Sequence, residues 1–221
     1  MKKRGFTLVE LLVAIAVIGI LMSMLISAVN KALDNARRIR GANYLRQIAL
    51  AYNHYANGDV NGRNISSDMA ATGILWAEVL AKGGYLNDPN MYCFTGDNGA
   101  ASILKKTIVD TAGESTNAWG SPFPEGKDFS VWVINNIPID APSSTTPIAF
   151  TRGLQTDGTW SADGVYGTKG GYIAYLDSHV EWLGNLGGDD DGKLLTYGTS
   201  APTNNIMAAI PSGATILSAT G

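Results

Sequence analysis

Thiols, imidazoles and charge are all scarce in this 221-residue chain. Its single cysteine, Cys93, closes no intrachain disulfide, and with only two histidines, His54 and His179, there is no thiol or imidazole cluster of zinc-ligand spacing. Neither histidine has a Ser, Cys or Glu around it in a nucleophile or zinc pattern, so the sequence offers no catalytic constellation and the chain is read as a non-enzyme. Charged residues are 16% of the total, the formal net charge is −3, and the second half of the chain has no Lys/Arg cluster, which makes nucleic acid a poor partner. A composition of 45% hydrophobic residues with 26 glycines and 8 prolines excludes a disordered chain and a polytopic membrane protein. What remains is one globular domain and one unusually apolar segment.

That segment is N-terminal. Lys2, Lys3 and Arg4 precede Gly5, and from Phe6 to Val29 the one charged residue is Glu10. At the helical rise this stretch spans roughly 36 Å, enough to cross a bilayer core of about 30 Å. A secretory signal has an apolar region of only about 7–15 residues with its small-residue cleavage site after it, whereas here the small residue, Gly5, lies before. The basic triplet favours a cytoplasmic N-terminus, although Lys31, Arg37, Arg38 and Arg40 on the far side weaken that asymmetry. Glu10 is the anomaly, because a carboxylate inside an apolar run costs on the order of 3 kcal/mol on insertion scales and usually has a function.

The run Arg4-Gly5-Phe6-Thr7-Leu8-Val9-Glu10-Leu11-Leu12-Val13 resembles the N-terminal signature of type IV pilins and type II secretion pseudopilins. The resemblance implies cleavage after Gly5 by a prepilin peptidase, methylation of the new N-terminal Phe6, and assembly into a filament cored by these helices, with Glu10 as the assembly residue. Cleavage would remove three basic residues, leaving 13 basic and 19 acidic groups, a net of −6. Many pilins place a helix-breaking proline near the end of the apolar run, where this sequence has Ser27.

Beyond Val29 the apolar residues Leu33, Ala36, Ile39, Leu45, Ile48, Ala49, Tyr52 and Tyr55 recur mostly at three- and four-residue steps, which predicts an amphipathic continuation of the helix to about Asn57. The whole helix is then about 78 Å long, and its first half needs cover from lipid or from copies of itself. A short helix is expected from Gly73 to Tyr85, ending at Gly83-Gly84, whereas residues 102–109 read equally as helix or strand. Strand-like runs occupy 131–134, 147–151, 171–176 and 179–183, separated by Pro, Ser, Thr, Gly and Asp clusters, and an antiparallel sheet packed on the upper helix is the economical arrangement. Residues 196–221 carry no charge and read as a loosely ordered tail or a docking surface.

A second resemblance lies in Gly170-Gly171-Tyr172-Ile173-Ala174-Tyr175-Leu176-Asp177-Ser178-His179-Val180-Glu181-Trp182, which is similar to the C-terminal element of prepilin-type proteins that carry Asp-Gly-His-Val. Ser178 stands where that element has glycine, and Gly167 where many members carry a histidine ten residues before the aspartate. On the residues alone, Asp177 is expected to bond turn amides while His179 packs beside an aromatic ring, with a metal or ligand role as the lesser alternative. Gly187-Gly188-Asp189-Asp190-Asp191-Gly192 crowds three carboxylates on a glycine-rich loop, a donor set suited to calcium, but the full calcium-loop spacing and a downstream bidentate Glu are missing, and a solvated acidic turn is the blander and favoured reading.

The expected protein is therefore α+β and pilin-like: a leader at 1–5, a membrane-spanning and filament-core helix at 6–29, an amphipathic continuation at 30–57, a head with an antiparallel sheet at 58–195, and a tail at 196–221. It is expected to be a bacterial inner-membrane precursor with its head on the periplasmic or extracellular side. Its implied partners are copies of itself, the prepilin peptidase and the pilus or secretion assembly machinery; no cofactor is expected beyond possible calcium at Asp189, Asp190 and Asp191. The rival reading is a monomeric, membrane-tethered binding protein or adhesin that uses the leader for processing only.

Overall fold

The computed structural model describes residues 7–58, 65, 70–184, 186 and 194–220. The chain forms two compact units, Met1–Arg40 and Gly41–Gly221. Helix α1, Leu8–Gly58, contributes to both. No proline interrupts it, and leucine, alanine, methionine and charged residues of good helix propensity fill it. Ser27 does not break it: Ser23 and Ser27 donate their hydroxyls back to the carbonyls of Ile20 and Met24, at 2.8 and 3.0 Å, so neither leaves a bare donor on an apolar surface. In the first unit every residue from Thr7 to Val29 is exposed, including Leu8, Leu11, Ile15, Ile18 and Leu25. An apolar surface of this extent exceeds what a soluble monomer tolerates.

In the second unit α1 turns amphipathic. Gly41, Leu45, Ile48, Ala49, Tyr52, Tyr55 and Ala56 are buried, at the three- and four-residue steps of one helical face. Leu45, Ile48, Ala49, Tyr52 and Tyr55 share a single hydrophobic core with the second helix and the sheet. Helix α2, Gly73–Lys82, starts at Thr72, whose hydroxyl accepts from Leu75 N, and ends at Gly83. Its Trp76 is fully buried and stacks on Tyr52 with ring centroids 5.8 Å apart. Residues 102–109, open between helix and strand in the sequence, adopt neither. The Asn87 side chain takes the place of a strand partner, accepting from Ile108 N and Val109 N and donating to Val109 O.

The sheet is antiparallel with order β4-β3-β2-β1-β7, built from β1 (Val131–Asn135), β2 (Pro147–Thr151), β3 (Gly171–Tyr175), β4 (Val180–Leu183) and β7 (Thr215–Leu217). A separate hairpin pairs β5 (Leu194–Leu195) with β6 (Pro202–Thr203), and a short helix α3, Ile206–Ala209, follows. Strand β2 is buried along its whole length, with Phe150 edge-on to Trp132 of β1. Four of the five sheet strands coincide with the runs expected from composition. The fifth comes from the uncharged stretch at 196–221: β7 pairs with β1, placing Leu217 opposite Val133, and the amides of Gly73 and Ile74 donate to the carbonyls of Ser218 and Ala219. This segment is tied into the sheet because Leu217 and Ala219 are buried there. The architecture is the α+β, pilin-like arrangement of one long apolar N-terminal helix and a C-terminal antiparallel sheet.

Candidate functional site

The first candidate site is the start of α1. Thr7 precedes the first helical residue, and its hydroxyl accepts from Glu10 N at 3.3 Å. In return Oε2 of Glu10 accepts from Thr7 N at 2.9 Å and from the Thr7 hydroxyl at 2.8 Å. This is a reciprocal capping box, in which a threonine and the glutamate three residues later satisfy each other's exposed groups. The positive end of the helix dipole also favours a carboxylate in the first turn. Glu10 is thus held in a fixed place on an exposed apolar helix by its own chain. Gly5 and Phe6, the expected processing residues, lie outside the described residues. Thr7 was not singled out by sequence reasoning, yet Thr7-Leu8-Val9-Glu10 spells the capping-box signature in full.

A second cluster is the turn between β3 and β4. Oδ1 of Asp177 accepts from His179 N at 3.1 Å and meets His179 Nδ1 at 2.5 Å, while the His179 ring lies parallel to Tyr175 with centroids 4.2 Å apart. Burial, then the carboxylates of Glu181 and Asp177, push the Tyr175 hydroxyl pKa up. Ser178 has a φ of 69°, the left-handed conformation a glycine adopts without strain. Its compensation is Asn53 of α1, whose Nδ2 donates to Leu176 O at 2.5 Å and to Ser178 Oγ at 2.9 Å. The aspartate therefore bonds the turn and the histidine packs on an aromatic ring, an arrangement that pins a hairpin to the helix.

A polar cleft of 680 Å³ lies between the loops around Asp97, Gly126 and Asp163. At its floor Arg152 Nη2 meets Asp97 Oδ1 at 2.6 Å, with both side chains nearly buried. Asp97, Asp128, Arg152 and Lys127 are all engaged within the chain there. Asp97 also accepts from Gly99 N and the Ser130 hydroxyl, and Arg152 donates to the carbonyls of Phe129 and Asp163. The cleft is a seam between loops tied together by an ion pair. Cys93 lies close to the same charges, and burial, reinforced by Asp97 and Asp128, pushes its thiol up to about 12. The other histidine, His54, is exposed on α1. Among the described residues no group of three or more His, Cys, Asp or Glu is placed to hold a metal ion. Asp189, Asp190 and Asp191, the expected calcium ligands, lie outside the described residues.

Residues 1–26 match the family described as the prokaryotic N-terminal methylation motif, the prepilin-type signature of type IV pilins and pseudopilins. No curated protein and no solved structure matches the chain. The motif and the long apolar helix are those of a type IV pilin-like or pseudopilin precursor. That motif belongs to structural rather than enzymatic proteins, implies processing by a prepilin peptidase in a pilus-assembly context, and with the helix is consistent with an inner-membrane-anchored precursor.

Proposed function

We propose that this chain is a structural subunit of a type IV pilus-like or type II secretion filament, cut after Gly5, methylated at Phe6, stored in the inner membrane and polymerised through residues 6–29. The observation that carries this reading is the pairing of an exposed apolar stretch of helix, residues 8–29, with a capped carboxylate in its first turn. An anchor needs the apolar surface and uses Glu10 only as a helix cap, with no need of a carboxylate for a neighbouring chain. A carboxylate left unpaired in a low-dielectric helix bundle is costly, and a neighbouring subunit's Phe6 ammonium, created by cleavage, recovers much of that cost in one register only. The pair need not add net stability to select that register. The rival, a monomeric tethered adhesin, requires no such selection.

Glu10→Ala in cells tests the two. Intact mass is expected to show a chain still beginning at methylated Phe6, while negative-stain microscopy and cross-linking show filaments abolished or greatly reduced. Wild-type filament numbers in the variant would remove Glu10 from assembly, and a wild-type chain found only as monomers would favour the adhesin.

A further inference from the structure

Charge is segregated along this chain. Between Lys31 and Arg40 four basic residues accompany a single acid, Asp34, whereas from Gly41 onward nine basic residues face 17 acidic ones. Lys31, Arg37 and Arg40 are exposed and Arg38 is half-buried; Arg37 reaches Asp34 at 3.7 Å. We propose that Lys31, Arg37, Arg38 and Arg40, which cover about half of the helix circumference, form a juxtamembrane basic half-ring that binds the phosphate headgroups of anionic lipids beside the membrane-resident subunit. This rests on the membrane-inserted subunit of the preceding subsection.

Two physical points favour a lipid partner. First, position: the half-ring begins two residues after Val29, and the basic Cα atoms lie roughly 3 to 17 Å beyond the apolar run along the helix. Side chains on a helix lean toward its N-terminus, so the long Arg and Lys stems reach back to the headgroup layer. Second, topology: with the N-terminus cytoplasmic, basic residues on this flank oppose the charge asymmetry that orients a span, so a role has to offset that handicap. Headgroup phosphates supply one, since each Lys or Arg near an anionic surface is attracted appreciably.

The test is electron paramagnetic resonance of the full chain in phosphatidylcholine vesicles carrying trace spin-labelled phosphatidylglycerol or spin-labelled phosphatidylcholine. Lys2, Lys3 and Arg4 are changed to Gln throughout, so that only the half-ring is read. Motionally restricted lipid is expected with both labels, with the first shell preferring phosphatidylglycerol on the order of three- to five-fold. That preference is expected to fall to about one in the K31Q/R37Q/R38Q/R40Q variant and to weaken in about 1 M salt. Restricted lipid with both labels but no preference overturns the half-ring while leaving the membrane reading intact, as does a preference that survives the fourfold change. No restricted lipid with either label overturns the membrane reading itself. Loss of filaments in the fourfold variant, with no lipid preference in the parent, would instead assign the half-ring to the acidic head of a neighbouring subunit and overturn the lipid proposal.

Discussion

Asn53 shows how one side chain joins two distant parts of the sequence. Its amide donates twice into the β3–β4 turn, 123 and 125 residues away. Asn53→Ala is expected to lower the stability of the head by about 2 kcal/mol, since each lost bond contributes about 1 kcal/mol and leaves a carbonyl underused. Ser178→Gly is expected to be close to neutral, because relief of a left-handed residue's strain, about 1 kcal/mol, offsets the lost bond to Asn53. Chemical denaturation of both variants checks the contrast, and a large loss at Ser178 would mean the hydroxyl does more than accept from Asn53. Cys93 is a second side chain whose behaviour follows from its surroundings. A thiol 3% exposed with its pKa pushed up to about 12 is almost wholly protonated at neutral pH, so it is expected to resist alkylation in the native head and to react at once in denaturant. Rapid alkylation of the folded protein would show that the loops around Asp97 and Asp128 open on that timescale.

Elements differed in how far their neighbours could be read from composition. The long helix was legible because nothing interrupts it and its apolar pattern changes from all-round to one-sided after Val29, with burial of the apolar face beginning at Gly41, where the second unit starts. Strands β1, β2 and β3 were legible as runs such as Val131-Trp132-Val133-Ile134, apolar on both faces because the sheet interior is covered on both sides. Strand β7 was not, since three residues in a Thr/Ala/Ser stretch carry no period, and its partner β1 lies some 80 positions earlier in the chain. What holds it is tertiary: Asp128 Oδ1 accepts from Ala219 N at 2.7 Å while its other oxygen takes Trp132 Nε1. Likewise residues 102–109 depend on the amide of Asn87, a partner that no window of apolar residues reveals. At the candidate site the capping box was written in four consecutive residues, whereas the Asn53 bridge to the turn required the fold. Ending the chain after Ile210 is therefore expected to be severe: it removes buried Ala214, Leu217 and Ala219 and exposes the edge of β1. Loss of several kcal/mol, seen as insolubility or a melting temperature lowered by more than about 10 °C, is the expected result. A truncated head that melts like the intact one would show β7 to be dispensable.

For the molecule as a whole, the distribution of exposed apolar surface decides which part is self-sufficient. Leu8 to Val29 contribute most of the large hydrophobic side chains left in solvent, and none of them belongs to the core. From Gly41 on, the chain has one continuous core in which the helix face, α2 and the sheet cover one another, with Trp76, Tyr52, Phe129 and Phe150 fully buried. Each such aromatic contributes about 2–3 kcal/mol of burial, and none of it depends on residues before Gly41. A fragment starting at Lys31 keeps this core and the polar residues that lead into it. It is expected to be a soluble monomer with helical and sheet signals in circular dichroism and a single cooperative melt, while the full chain requires detergent or lipid. Sedimentation and thermal denaturation of the two forms provide the comparison. A fragment that stays disordered would mean that the head gains its structure only from neighbouring subunits, and one that folds but self-associates would place an assembly surface on the head as well as on the apolar helix.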